Sequence, residues 1–223
     1  MFKDEVTAVG NAAKGKLNLL ENNFAGYVLM SILAGMYIAL GSILMGIVGG
    51  VFTGGGAFST KLACGIVFSV GLCFVTMAGA ELFTGNNLVM TIGGLKKTVS
   101  WGGVVKLWVV CWVGNLIGSV VSAAIFTMTG IPGSGDIGAF FANAAAGKMG
   151  GTPANLFAKA ILCNICVCVA IWCGTKLKSE GAKIAMNFCC VTTFVTCGFE
   201  HSIANMTFLS IGLMTQNGVA GIT

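Results

Sequence analysis

Apolar residues are gathered into long blocks separated by short polar or glycine-rich stretches, and the lengths of those blocks predict membrane-crossing helices. A helix needs about 20 apolar residues to cross the hydrocarbon core of a bilayer. Phe24 to Val48 predicts a first span and contains no charged residue. Leu62 to Leu95 is too long for one straight crossing and holds Glu81, so it reads as two pieces meeting near Leu82 to Gly85. Leu107 to Gly130 predicts a third span, and Asn155 to Thr175, entered through Lys159, a fourth. Ile184 to Met214 is again too long and reads as broken around Glu200 and His201. Gly49 to Gly56 and Pro132 to Pro153 read as loops, the latter with a short helix-like stretch, AFFANAAAGK.

The two long blocks share a pattern. AGAELFTGNN (Ala78 to Asn87) and CGFEHSIANM (Cys197 to Met206) align on their glutamates, so that Gly79 faces Gly198, Glu81 faces Glu200 and Asn86 faces Asn205. An ionisable group inside a span costs roughly 2.5–3.5 kcal/mol on insertion scales and usually marks a pathway or a buried partner. Its recurrence in matching context predicts a duplicated membrane unit with two interrupted helices. Three spans per unit require a sixth span after Met214, whereas the sequence ends at Thr223. The fold expectation is therefore an all-α polytopic membrane protein, an inverted repeat of three spans, with spans two and five broken and the sixth missing. It forms one membrane domain over residues 1–223: an N-terminal segment 1–23, a first repeat 24–130 and an incomplete second repeat 131–223.

Composition agrees with the membrane class. Hydrophobic residues make up 56% of the chain and charged ones 9%, with a mean hydropathy of +0.93, against about 25% charged residues in soluble domains. A net charge of +5, spread along the chain, does not predict nucleic-acid binding. Met1 to Asn23 is polar and mixed in charge, unlike a secretory signal. Lysines 3, 14, 16, 96, 97, 106, 176, 178 and 183 fall on one side of the predicted spans, and only Lys61, Lys148 and Lys159 on the other. That bias predicts a cytoplasmic N-terminus and sets the two glutamate motifs in opposite directions.

The ten cysteines lie mostly inside apolar runs. Cys163, Cys166 and Cys168 suggest a metal or redox centre, but such sites want a second pair of ligands and the chain has one histidine. They read instead as small hydrophobes, with no metal or cofactor expected. That histidine, His201, stands beside Glu200 in the second break, which points to function rather than to a satisfied core group. Thr84 lies in the first break, where its hydroxyl can donate to an anion or accept from His201. Asn86 and Asn205 open the second half-helices and can satisfy freed backbone groups as caps do. Glu81 and Glu200 would favour cations if they faced a pore; turned away from it, they can accept hydrogen bonds from the broken backbone. The second role is the expected one. No nucleophile–base set or phosphate loop is visible, so no enzyme is expected.

The strings AGAELFTGNN, ILCNICVCVAIW (Ile161 to Trp172) and CGFEHSIANM resemble the formate/nitrite transporter family of prokaryotic membrane channels. The resemblance runs from the first span to the end of the chain, and the whole chain looks closest to the hydrosulfide branch. It implies a fold similar to that of aquaporins, a homopentamer with a pore in each protomer, and a place in the inner membrane of a prokaryote. It implies passage of small monovalent anions of weak acids, such as hydrosulfide, formate or nitrite, with proton transfer at a central histidine as an additional step. By residue, it implies that His201 lines the pore centre and that Lys148 points towards the pore, where composition alone reads Lys148 as a loop lysine. It implies that Asn164 lies near the site and that Phe68, Leu72, Leu82 and Phe194 form apolar constrictions.

Three other readings remain from the residues themselves. The two half-helices with Asn86 and Asn205 also suit an aquaporin-like neutral-solute pore, although no Asn-Pro-Ala motif and no arginine occur. A redox or metal protein would be built on the cysteines, and a cation transporter on the two glutamates.

Overall fold

The computed structural model describes residues 2–55 and 57–215, and the expected sixth span lies outside the described residues. Those residues fold into helices joined by short turns, with no strand among them. The elements are α1 (Lys3–Asn22), α2 (Phe24–Val51), α3 (Ala57–Phe74), a π-turn (Val75–Gly79), α4 (Phe83–Leu95), α5 (Trp101–Met128), α6 (Gly135–Met149), α7 (Pro153–Lys176), α8 (Glu180–Thr196) and α9 (Ser202–Thr215). Among the described residues, four helices are long and apolar enough to cross a membrane: Phe24–Val51, Ser59–Gly79, Trp101–Met128 and Pro153–Lys176. The fifth expected span is divided into α8 and α9, each too short to cross alone.

Local chemistry sets several boundaries beyond the apolar runs. Ser100, Thr152 and Ser179 accept hydrogen bonds from Gly103, Asn155 and Ala182 and so cap α5, α7 and α8, each satisfying a donor that has no partner inside its helix. These caps start α5 at Trp101 rather than Leu107, α7 at Pro153 and α8 at Glu180. The N-terminal segment, expected to be merely polar, is a 20-residue helix. Its buried Val9, Ala13 and Leu20 pack with Val89, Met90, Val104 and Leu107 of α4 and α5. The helix-like stretch expected within the loop after α5 lies in α6, whose Phe141 packs with Phe126 of α5 and Phe208 of α9.

The tightest packing is between α2 and α5. A Cβ on Gly118 would fall on the Ile32 carbonyl oxygen, and one on Gly35 on the Asn115 carbonyl oxygen. Small residues that let two backbones touch are a common way to join helices in lipid, where apolar burial gives little driving force. Gly79 and Gly198 are needed for a different reason: their φ angles are +81° and +72°, in the left-handed region that disfavours a side chain.

These two kinds of glycine predict different sensitivities. Gly118→Ala presses a methyl group into backbone and is expected to lower the thermal midpoint of purified protein in detergent sharply, or to abolish folded yield. Gly79→Ala meets no atom within 4 Å and is expected to cost only the left-handed strain, about 1–2 kcal/mol. Equal midpoints for the two variants would contradict the close α2–α5 approach.

Candidate functional site

The first interruption lies at Ala80 to Leu82, slightly before the expected Leu82 to Gly85. Here the π-turn ends at left-handed Gly79, Ala80 and Leu82 are extended, and α4 begins at Phe83. Several of its backbone groups are taken up by neighbours. Glu81 N donates to Met30 O at 3.2 Å. Asn115, from the middle of α5, accepts from Phe83 N at 2.9 Å and donates to Glu81 O at 2.9 Å and Ser31 O at 2.7 Å. Cys111 Sγ also donates to Glu81 O at 3.1 Å. The second interruption, at Cys197 to His201, turns through left-handed Gly198. His201 caps α9: its Nδ1 accepts from Ala204 N at 3.2 Å. The aligned residue of the first break is Leu82, which has no capping atom, and Asn115 serves α4 from outside.

The two carboxylates are matched by lysines from flanking helices. Lys16 of α1 donates to Glu81 Oε1 at 2.5 Å, and Lys148 of α6 to Glu200 Oε2 at 2.7 Å. Glu81 Oε2 accepts from Asn86 Nδ2 at 2.9 Å. The expectation that these carboxylates take up broken backbone is thus revised: they take lysine and amide groups, and Asn115 and His201 serve the backbone. Asn86 bonds Glu81 and Tyr27 Oη rather than capping α4, and buried Asn205 Oδ1 has no hydrogen-bond partner among the described residues. Lys148 does not stand as a free charge, since it is paired with Glu200 and lies 5.6 Å over the Phe208 ring.

The breaks meet at one contact. Thr84 Oγ1, on the first turn of α4, lies 3.1 Å from His201 Nε2. Because Nδ1 is an acceptor in the cap, the neutral imidazole carries its proton on Nε2 and donates it to Thr84. Asn164 of α7 supports this pair from behind, donating to Thr84 O at 3.0 Å and accepting from Asn87 Nδ2 at 3.3 Å. Phe194 stacks on the imidazole with ring centres 5.7 Å apart, and Phe68 meets it edge-on at 6.3 Å. Leu72 and Leu82 are buried in the same apolar cluster, with Val75 and Val191. The arrangement can offer hydrogen-bond donors to a small solute between apolar walls.

Three cavities surround this centre. One of about 620 Å³ reaches Thr84, Asn164 and His201 along α4 and α7. A second, of about 110 Å³, lies among Phe68, Phe194, Lys148, Glu200 and His201. A third, of about 370 Å³, includes Lys16, Thr76, Glu81 and Leu82. The cysteines are free thiols, and among the described residues no group of histidine, cysteine or carboxylate side chains could hold a metal ion. Sequence reasoning passed over Asn115 and Lys16. The signal for Asn115 was available, as an amide in the middle of an apolar span; Lys16 sat in a segment set aside as a polar tail.

Comparison with known proteins gives a consistent result. The family model described as formate/nitrite transporter matches residues 3–223. The chain is 34% identical over 221 residues to the nitrite transporter NirC of Salmonella typhimurium, covering 95% of this chain and 77% of that protein. A solved structure named as an FNT family ion channel superposes with a TM-score of 0.93 at 30% identity, covering 100% of this chain and 87% of the other. A pentameric formate channel with formate bound superposes with a TM-score of 0.77 at 30% identity, covering 85% and 74% respectively.

The ion pairs predict a particular pattern of rescue. Lys16→Met leaves the Glu81 carboxylate buried and uncompensated, a loss of about 3–5 kcal/mol for such pairs. It should lower the thermal midpoint in detergent more than the double variant Lys16→Met/Glu81→Gln does, because the neutral amide needs no counter-charge. A double variant no better than the single would show that Lys16 acts through packing of α1.

Proposed function

The chain belongs to the formate/nitrite transporter family, a family of multi-pass membrane transporters, and we propose that it is a channel for small monovalent anions of weak acids. Formate, nitrite and hydrosulfide are the candidate substrates. The observation that carries this reading is the Thr84–His201 contact at the meeting of the two breaks. It sets hydrogen-bond donors at a point walled by Phe68, Phe194, Leu72 and Leu82.

The chemistry follows from the donor arrangement. Thr84 accepts the Nε2 proton of His201 and keeps its own hydroxyl proton for an anion. Asn164 holds Thr84 through its carbonyl and keeps α4 in register with α7. Each carboxylate near the path is neutralised by a lysine, which removes the main repulsion an anion would meet. Apolar necks on either side of a polar chamber exclude hydrated ions, while the neutral acid of a weak-acid anion crosses them. Protonation at this centre would convert the anion into that acid. His201 would give up a proton only from its imidazolium form, reached when Nδ1 takes a proton and releases Ala204 N, and would return to the neutral imidazole as the anion becomes the acid. Lys148, paired with Glu200, orients the second break beside the imidazole.

The remaining assignments rest on the same reading. The two interrupted helices, with their aligned left-handed glycines, support an inverted repeat. The pentameric formate channel supports a homopentamer, and the lysine distribution supports a cytoplasmic N-terminus in the inner membrane of a prokaryote. Uptake of formate, nitrite, hydrosulfide and chloride into proteoliposomes tests the reading directly; uptake of none of them above empty liposomes would overturn it.

His201→Asn separates the chemical role from the structural one. Asparagine is among the best capping residues, so α9 should keep its first hydrogen bond and assembly should persist. With no titrating group at the centre, the pH dependence of formate uptake is expected to flatten, with a fall of about tenfold or more at the optimum. A variant that keeps the wild-type rate and pH profile would make His201 a cap and nothing more.

A further inference from the structure

The cavity of about 370 Å³ opens between α1, the π-turn, α4, α7 and α8, and its charged lining residues are Lys16, Glu81 and Lys183. Lys16 and Glu81 cancel in their 2.5 Å pair. Among the described residues no carboxylate pairs with Lys183, so this lining carries one net positive charge. The smaller cavity beside Phe68 and Phe194 differs: its charged residues, Lys148 and Glu200, cancel each other. The uncompensated cation therefore stands at the α8 mouth and not beside Lys148.

A continuous face leads inward from that cation. Lys183, Asn187, Val191 and Phe194 share one face of α8 by helical spacing, and Phe194 ends against the imidazole. The face thus passes from ammonium to amide to aliphatic to aromatic. Asn187 is only 2% exposed and lines the cavity. It donates to Thr76 Oγ1 of the π-turn at 2.8 Å. Its other contact, to Cys73 Sγ, is 4.0 Å long, too weak to hold an N–H against a stronger acceptor. Single π-turns within α-helices occur frequently at functional sites.

We propose that this cavity is an anion-capture site, in which Lys183 supplies the uncompensated charge and Asn187 the first N–H donor on the way to His201. The proposal rests on the channel reading above. The ligand class is a small monovalent oxyanion such as formate or nitrite, because oxygen accepts from an amide N–H more strongly than sulfur does. Asn187 then discriminates these anions from hydrosulfide before the leucine neck.

The test is initial uptake of formate and of hydrosulfide by proteoliposomes at low and high ionic strength, with assembly checked by size-exclusion chromatography. Lys183→Gln should lower formate uptake roughly tenfold at low salt and raise its half-saturation concentration. At about 1 M salt, where the Debye length is about 3 Å, it should approach wild type, and Lys183→Arg should behave as wild type throughout. Asn187→Leu should lower formate uptake relative to hydrosulfide at both salt concentrations, and Asn187→Ser, which keeps a hydroxyl donor, should restore part of the ratio. Wild-type protein that passes no anion would overturn the channel reading itself. Wild-type uptake with an unaffected Lys183→Gln, or with a loss independent of salt, would overturn the capture site alone. An unchanged formate-to-hydrosulfide ratio in Asn187→Leu would remove Asn187 from it.

Discussion

Every backbone N–H and C=O inside a bilayer must find a partner within the protein, because hydrocarbon supplies none. The two interrupted helices meet this constraint by different means. At the first break one side chain, Asn115, bonds Phe83 N and Glu81 O while also holding Ser31 O of α2. At the second, His201 takes up Ala204 N from within the break itself. The difference matters because Leu82 and His201 are the aligned positions of the two motifs. One break therefore keeps an apolar wall and the other gains an imidazole, with a backbone donor of the following half-helix taken up in each.

The same economy governs charge. A buried carboxylate is tolerable when a cation reaches it, and both cations come from helices that lie outside the aligned motifs, α1 and α6. Helices that look like a tail and a loop in the sequence thereby become part of the centre. Their lysines are 65 and 52 positions from their partners. Pairing also decides which lysines act at a distance: a cation in contact with a carboxylate contributes little field beyond its own pair.

Much of the architecture was legible because hydrocarbon imposes a simple length and polarity code. The apolar blocks marked the spans, and Glu81 and Glu200 marked both interruptions to within a few residues. What escaped was encoded otherwise. The buried stripe of α1 is spread among polar residues, so Val9, Ala13 and Leu20 gave no visible run. The true starts of α5, α7 and α8 depend on single capping residues rather than on hydrophobicity. The π-turn has no sequence signature. At the centre, Thr84 and His201 could be named as neighbours in breaks, whereas the partners of Glu81 and Glu200 needed three-dimensional proximity that no local pattern carries.

The close approach of α2 and α5 also sets a mechanical tolerance. Asn115 is a short side chain with fixed reach, and it spans from α5 to carbonyls on α2 and on the break only because the backbones touch at Gly35 and Gly118. Hydrogen bonds of this kind keep their strength over a few tenths of an ångström, less than the displacement a methyl group at either glycine would force. The alignment of the first break is therefore gauged by two missing side chains, one at Gly118 about a helical turn along α5 from Asn115 and one at Gly35 directly against the Asn115 backbone, acting as the spacer against which the joint is set.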